Sequence, residues 1–446
     1  MAKYFGTDGI RGEANVTLTA TQAFLIGRYI GHYFSQNKKA KIIIGKDTRI
    51  SGAMFEAAVV AGANASGCDV YLVGVIPTPA IAYLTQQYGF DCGVMISASH
   101  NPYYDNGIKL FNCNGEKMTM EFENEIEAFI DSKITIPYTN SDNIGGTYEY
   151  LEANQKYLDY LKSIDLLDLS GVRIALDLAN GAAVTTAQQL LESLGATVDA
   201  IGNTPNGKNI NLKVGSTYPE TLQDFVKKGH YDVGFSFDGD ADRVMAVDEQ
   251  GQLVDGDKIL YLAARSLKER NKLSKNTIAT TVMANIGLYH ALKELDIKTV
   301  KTKVGDKYVY EAMTENNYVL GGEQSGHIIF KEYATTGDGL LCALKILEYM
   351  TFKKQNLSEL LKDINIFPQL LINVTVNDKE NVLQDSVLTQ KIDAIQNELG
   401  SAGRILVRPS GTEPLVRVMV EAQSEELCHK YVYEIINYIK EKEANN

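Results

Sequence analysis

Three stretches of this 446-residue chain repeat one plan of strand, loop, helix and strand, and that plan folds only as parallel strands joined by a crossover helix. The first runs from a predicted strand Lys41 to Gly45 through the loop Lys46-Asp47-Thr48-Arg49 and a helix near Gly52 to Ser66 into a strand Asp69 to Gly74. The second joins Val172 to Asp177 and Thr197 to Ile201 through Leu178-Ala179-Asn180-Gly181 and a helix near Val184 to Leu194. The third joins Thr277 to Val282 and Lys298 to Lys303 through Met283-Ala284-Asn285-Ile286-Gly287 and a helix ending at Leu295, and Asn180 and Asn285 align in a shared Ala-Asn context. Three such units predict three α/β domains with mixed, largely parallel sheets. The last eighty or so residues differ. Alternating apolar residues at Leu370 to Val376, a helix near Asn381 to Leu399, two strands flanking Arg408 to Pro414 and a final helix predict an α+β domain with an antiparallel sheet. Length suggests three or four domains. Boundaries are placed at 1–150, 151–250, 251–367 and 368–446, the last at Phe367-Pro368, where proline breaks a helix pattern.

Hydrophobic content of 45% and charged content of 22% are those of a globular protein. A formal charge of −13 argues against a nucleic-acid partner, and it requires any phosphate site to be built from local cations and backbone amides. The longest apolar runs are strand-sized, so no membrane span is expected, and Met1 to Gly6 lacks the apolar stretch of a signal peptide. Cys68, Cys92, Cys113, Cys342 and Cys428 show no CxxC spacing, which fits a reducing cytoplasm.

The chemistry concentrates in loops. Asp238-Gly239-Asp240-Ala241-Asp242-Arg243 sets three carboxylates at alternate positions after the apolar run Val233 to Phe237, and such hard ligands suit a divalent cation, Mg²⁺ where phosphate is present. The competing readings are an acidic turn and an EF-hand loop, the latter opposed by Arg243 where a sharp turn needs glycine. Ser97-Ala98-Ser99-His100-Asn101-Pro102 follows Gly93 to Ile96 at the carboxyl end of a strand, where α/β folds place reactive groups. It reads as a turn, or as a phosphoryl acceptor beside the metal. A hydrolase Ser-His pair is disfavoured, because neighbours in an extended segment point apart and no G-x-S-x-G elbow exists. Arg408-Pro409-Ser410-Gly411-Thr412-Glu413-Pro414, with Arg417 beyond, offers a guanidinium, hydroxyls and open backbone to a phosphate. Gly321-Gly322-Glu323-Gln324-Ser325-Gly326-His327 offers a carboxylate, a hydroxyl and an imidazole to a sugar. Either of these loops, taken alone, also reads as a hairpin turn. Phe5 to Gly12 adds a Gly-rich loop with Arg11, and Asn106 to Lys109 adds a lysine.

Together these segments resemble the α-D-phosphohexomutase superfamily, and within it the bacterial phosphoglucosamine mutases. The resemblance rests on FGTDGIRG at Phe5 to Gly12, GKDTRISG at Gly45 to Gly52, ISASHNPYYDNGIKLF at Ile96 to Phe111, DGDADR at Asp238 to Arg243, GGEQSGH at Gly321 to His327 and RPSGTEP at Arg408 to Pro414. It implies four domains around a central cleft, with Ser99 as phosphoserine and Ser99, Asp238, Asp240 and Asp242 holding Mg²⁺. It further implies a catalytic set of Ser99, His100, Lys109, Arg11 and His327, with Arg49 and Arg243 as braces. Glu323 and Ser325 would bind the sugar, and Arg408, Ser410, Gly411, Thr412 and Arg417 the phosphate that is not reacting.

The implied reaction interconverts glucosamine 6-phosphate and glucosamine 1-phosphate, with glucosamine 1,6-bisphosphate as intermediate and activator. The partner is then a small phosphosugar, and the resemblance admits a homodimer. A phosphomannomutase or phosphoglucomutase is the alternative within the class, and a non-catalytic sugar-phosphate-binding protein the alternative outside it.

Overall fold

Strands such as Cys92–Ile96 and Val233–Phe237 are buried along their whole length, so both faces of their sheets need cover, and helices supply it. The computed structural model describes residues 3–410 and 414–444. They form two units, one of Met1–Met283 with Ile297–Lys362, the other of Ala284–Asp296 with Asp363–Asn446.

The first unit holds three mixed sheets. In the seven-stranded sheet, Lys41–Lys46 pairs parallel with Asp69–Val75 and Cys92–Ile96, and beyond Cys92–Ile96 the strands Asp105–Asn112, Gly9–Glu13 and Phe5–Gly6 follow antiparallel. Thr147–Glu149 closes the other edge. The five-stranded sheet runs Leu253–Val254, Val244–Asp248, Val233–Phe237, Arg173–Asp177 and Thr197–Ile201, and the four-stranded sheet Lys298–Thr302, Thr277–Thr281, Leu320–Gly322 and Ile328–Phe330. In every sheet the two strands of the βαβ stretch are parallel.

One further feature is common to all three. A strand parallel to the start of the βαβ stretch turns through a short loop and returns antiparallel, as Cys92–Ile96 into Asp105–Asn112, Val233–Phe237 into Val244–Asp248, and Leu320–Gly322 into Ile328–Phe330. The serine, aspartate and Gly-Gly-Glu loops are these three connections.

On one face of the first sheet the helices Ala20–Phe34 and Gly52–Asn64 pack over Ile42, Ile44, Val70 and Val94. Thr19 and Gln22 close a capping box at the start of Ala20–Phe34. The two helices meet through glycine: a Cβ at Gly27 would lie 2.2 Å from the Val59 carbonyl oxygen, and one at Gly62 would lie 2.1 Å from that of Phe24. No helix among the described residues is long and apolar enough to cross a membrane.

The second unit carries the antiparallel order Gln369–Thr375, Leu415–Glu421, Arg404–Pro409, covered by Ser386–Leu399 and Glu425–Ala444. The single helix expected near Asn381 to Leu399 is two, Lys379–Leu383 and Ser386–Leu399, because the Asp385 carboxylate caps the second by accepting from the Val387 and Leu388 amides. The helix Ile286–Glu294, sequentially the crossover of the third βαβ stretch, packs with this unit. Asn285 donates to the Phe367 carbonyl and accepts from the Phe367 amide, and Glu421 accepts from the Ile286 amide. Asn180 and Asn285 therefore differ in role despite their matched context. Asn180 turns at φ 48, whereas Asn285 caps a helix.

Gly62→Ala should destabilise the protein by about 1–3 kcal/mol, because the added methyl forces the two helices apart. The unfolding midpoint should fall by about 2–4 °C per kcal/mol. An unchanged midpoint in thermal unfolding followed by circular dichroism would show that the helices separate freely.

Candidate active site

The serine loop is built around a buried arginine. Arg49, its side chain fully enclosed, pairs with Asp47 at 2.9 Å and donates to the carbonyl oxygens of Ser99 (2.8 Å), Asn101 (2.8 Å), Asp105 (3.0 Å) and Pro102. Asn211 donates to the same Ser99 and Asn101 carbonyls at 2.9 and 3.0 Å. Ser97 donates to Asp47 at 2.6 Å and accepts from the Ser99 amide at 2.9 Å. These bonds hold Ser99 at φ 52, a left-handed conformation costing a non-glycine residue roughly 1–2 kcal/mol. The result is a hydroxyl aimed at the aspartate loop, donating to Asp238 Oδ2 at 2.5 Å. The same turn overturns the expectation that Ser99 and His100 point apart, which assumed extended backbone, for Ser99 Oγ lies 3.3 Å from His100 Nδ1. Burial, with Arg243 and Arg11, pushes the His100 imidazole down to about 4 and keeps it neutral.

The three aspartates converge. Each offers a carboxylate oxygen within 4.8 Å of the others, and all three are buried. Asp240 Oδ2 accepts from Thr78 at 2.5 Å and from Lys109 at 2.7 Å, and Asp242 Oδ2 accepts from Lys109 at 2.9 Å. The remaining oxygens, Asp240 Oδ1 and Asp242 Oδ1, are buried without a hydrogen-bond partner among the described residues. Orphaned acceptors of this kind are costly unless a cation takes them, so the donor set fits a hard divalent metal. Burial, reinforced by Asp242 and Asp240, pushes Asp238 well above the carboxylate range, whereas on Asp242 Lys109 and His327 outweigh burial and hold it well below. Of the three aspartates, Asp238 is the one that Ser99 bonds among the described residues.

Cations surround the carboxylates. Lys109, almost fully enclosed, also reaches Asp8 at 2.8 Å. Burial opposes its charge, but Asp240, Asp242 and Asp8 outweigh it and hold the ammonium well above the ordinary lysine value. Arg11 pairs with Asp8, and Arg243 lies 3.8 Å from Asp242. Their Nε groups are buried without hydrogen-bond acceptors among the described residues, which suits a tetrahedral anion.

In the third loop Glu323 accepts from the Gly305 amide at 3.1 Å, Ser325 is half-exposed, and the Gly326 carbonyl accepts from the Val244 amide of the aspartate loop's return strand at 3.1 Å. His327 is buried, its Nε2 accepting from the Gly337 amide at 2.9 Å and its Nδ1 3.7 Å from Asp242. Burial opposes its charge, yet Asp306 and Asp242 raise the imidazole above its ordinary value.

Within the second unit, Arg408 and Arg417 face each other in register across two antiparallel strands. Burial and Arg417 lower the Arg408 value. Ser410 follows the strand Arg404–Pro409, its carbonyl accepting from Lys379 at 2.8 Å. Gly411 and Thr412 lie outside the described residues.

The first unit thus gathers Ser99, His100, Lys109, Arg11, the three aspartates, Arg49, Arg243, Glu323 and His327. Sequence reasoning missed Asp8, Asp47, Thr78, Asn211, Lys117 and Asp306 as site residues. Asp8 stood inside the FGTDGIRG segment and Asp47 inside GKDTRISG. The others act across long sequence separations and left no local signal.

Models of the phosphoglucomutase/phosphomannomutase family match the chain four times: alpha/beta/alpha domain I at 2–136, domain II at 155–251, domain III at 255–367 and the C-terminal domain at 371–437. A phosphoglucosamine mutase of Lachnospira eligens is 53% identical over 446 residues, 99% of each chain. A phosphoglucomutase/phosphomannomutase family protein from Burkholderia thailandensis matches with a TM-score of 0.81 at 25% identity, over 99% of this chain and 98% of its own. The N-acetylphosphoglucosamine mutase of Aspergillus fumigatus, solved in complex with GlcNAc-6P and magnesium, shares the fold at a TM-score of 0.72 and 19% identity, over 99% of this chain and 96% of its own. With all four domain models matched in order and half its residues shared end to end with that bacterial relative, the chain belongs to the phosphoglucomutase/phosphomannomutase family.

Proposed function

We propose that this enzyme interconverts glucosamine 6-phosphate and glucosamine 1-phosphate, carrying a phosphoryl group on Ser99 and passing through glucosamine 1,6-bisphosphate. The observation that carries the chemistry is the Ser99 hydroxyl 2.5 Å from Asp238, at the rim of a carboxylate triad with two oxygens unsatisfied among the described residues. The amino sugar is favoured by the bacterial relative at 53% identity.

In the first half-reaction the bond from phosphorus to Ser99 Oγ breaks as a bond forms to the free hydroxyl of the sugar monophosphate; that hydroxyl's proton passes to a base of the site, and the departing Ser99 Oγ takes up a proton. In the second, Ser99 Oγ attacks the other phosphate of the bisphosphate, and the departing sugar oxygen takes up a proton. For the proton that Ser99 loses, Asp238 Oδ2 and neutral His100 Nδ1 are the acceptors at hand. Phosphoserine carries about −1.5 to −2 at pH 7. Lys109, Arg11 and Arg243, kept cationic by their carboxylates, offset that charge as it redistributes. Mg²⁺ held by Asp238, Asp240, Asp242 and Ser99 would supply further positive charge to the transferring phosphoryl oxygens.

Glu323 and Ser325 grip the sugar hydroxyls, and Arg408, Ser410, Gly411, Thr412 and Arg417 bind the phosphate that is not reacting. The serine, metal, sugar and phosphate loops then fall one to each of four domains, at 1–150, 151–250, 251–367 and 368–446. All five cysteines are free thiols, which supports a cytoplasmic setting.

Ser99→Ala removes the acceptor oxygen without adding bulk, so kcat should fall by a factor on the order of 10³ or more while the fold survives. A coupled assay on glucosamine, glucose and mannose 6-phosphates checks this, and intact mass should show one phosphate on wild type and none on the variant. Near-normal turnover by Ser99→Ala would refute the carrier. Glucose or mannose phosphate as the preferred substrate would overturn the amino-sugar reading alone.

Asp240→Asn removes one charge from the triad and should weaken Mg²⁺ binding on the order of tenfold or more, measured by titration calorimetry on EDTA-treated protein. Unchanged affinity would place the metal elsewhere.

A further inference from the structure

Lys117 sits on the return arm of a tight turn. The Asn112 amide donates to the Glu116 carbonyl at 2.8 Å, and the Asn112 side chain accepts from the Asn114 and Glu116 amides at 2.8 and 3.1 Å. Gly115 has φ 71 and runs so close to the Ala82 carbonyl oxygen that a Cβ would lie 2.5 Å from it, so the turn requires glycine. Lys117 comes back as the bridge partner of Phe111, two residues along the strand from Lys109.

Its ammonium joins two carboxylates, Asp8 and Asp306. Asp8 holds Lys109 at 2.8 Å and also pairs with Arg11. Asp306 opens the helix Asp306–Asn316 and lies 3.4 Å from His327 Nε2, and the preceding residue, Gly305, donates its amide to Glu323. One cation therefore ties the segment that places Lys109 to the segment that places His327 and Glu323.

We infer that Lys117 is a positioning residue for phosphoryl transfer: by clamping Asp8 and Asp306 it fixes Lys109 and His327 relative to one another across the reacting groups. The inference rests on the mutase reading above. Without Lys117, Asp8 keeps only Lys109 and Arg11, and its pull on Lys109 is no longer shared. Asp306 loses its full cation and draws the His327 ring away from Asp242. Neither change removes a substrate contact, so the loss falls on the chemical step. Misplacement by about an ångström costs up to about 10²-fold in such steps.

The test uses Lys117→Met, nearly equal in length and uncharged, with Lys117→Arg as the conservative variant, both assayed with glucosamine 6-phosphate and Mg²⁺ at temperatures where they are folded. The expected result for Lys117→Met is a kcat lower by about 30- to 100-fold with KM within about threefold of wild type, and for Lys117→Arg recovery of most of that loss. A kcat for Lys117→Met within about threefold of wild type, or a loss confined to thermal stability, overturns the inference and leaves the mutase reading intact. Should Lys117→Met fail to fold, Asp306→Asn serves instead, since it keeps the shape and removes one half of the clamp. It should lower kcat with KM unchanged, and an unaltered kcat overturns the inference. Wild type that turns over no hexose phosphate overturns the mutase reading and this inference with it.

Discussion

Four carboxylates, Asp8, Asp238, Asp240 and Asp242, crowd around one site, and the Lys109 ammonium touches three of them. Placing so many like charges out of water is prohibitive unless cations share the space. Lys109, Arg11 and Arg243 supply three, Lys117 is shared between Asp8 and Asp306, and a divalent metal on the aspartate triad would complete the balance. Two oxygens of the triad lack hydrogen-bond partners among the described residues, and Asp238 is pushed toward protonation. The site is built for more positive charge than the polypeptide provides. Phosphoryl transfer, in which charge moves over oxygens with little covalent help from the protein, calls for such a reserve.

The fold delivers these groups by repeating one device. A buried strand parallel to its neighbour ends, turns and returns antiparallel, and in each of three sheets the turn carries residues to which the proposed reaction gives a role: Ser99 after Ile96, the three aspartates after Phe237, Glu323 after Gly322. Such connections lie at the carboxyl ends of parallel strands, where open α/β sheets bind ligands. Rigid strands on both sides keep each loop in place, and side chains from elsewhere finish it, as Arg49 and Asn211 do for Ser99.

The loops themselves were legible in the sequence because each is a short string of unusual residues after an apolar run, and the βαβ plan was legible because its period is local. The equivalence of the three turns was not, since it depends on the return strands Asp105–Asn112, Val244–Asp248 and Ile328–Phe330 pairing antiparallel. Thr78, Asn211, Lys117 and Asp306 escaped for the same reason: they matter only through partners far away in sequence. Ser99 and His100 were read as pointing apart because extended backbone was assumed, and the left-handed turn that brings them together is imposed by Arg49, fifty residues earlier. The second-unit helix broke in two where an aspartate found amides to cap, a competition invisible in apolar periodicity.

The central claim is that Ser99 carries a phosphoryl group that passes to the sugar and back, and the most direct measurement is a chase. Protein labelled with ³²P on Ser99 is mixed with excess unlabelled glucosamine 6-phosphate and Mg²⁺ and quenched over milliseconds to seconds. The account predicts that label leaves the protein at least as fast as turnover and appears first in glucosamine 1,6-bisphosphate, then in the monophosphates. Label that stays on the protein through many turnovers, or appears only as inorganic phosphate, would contradict it.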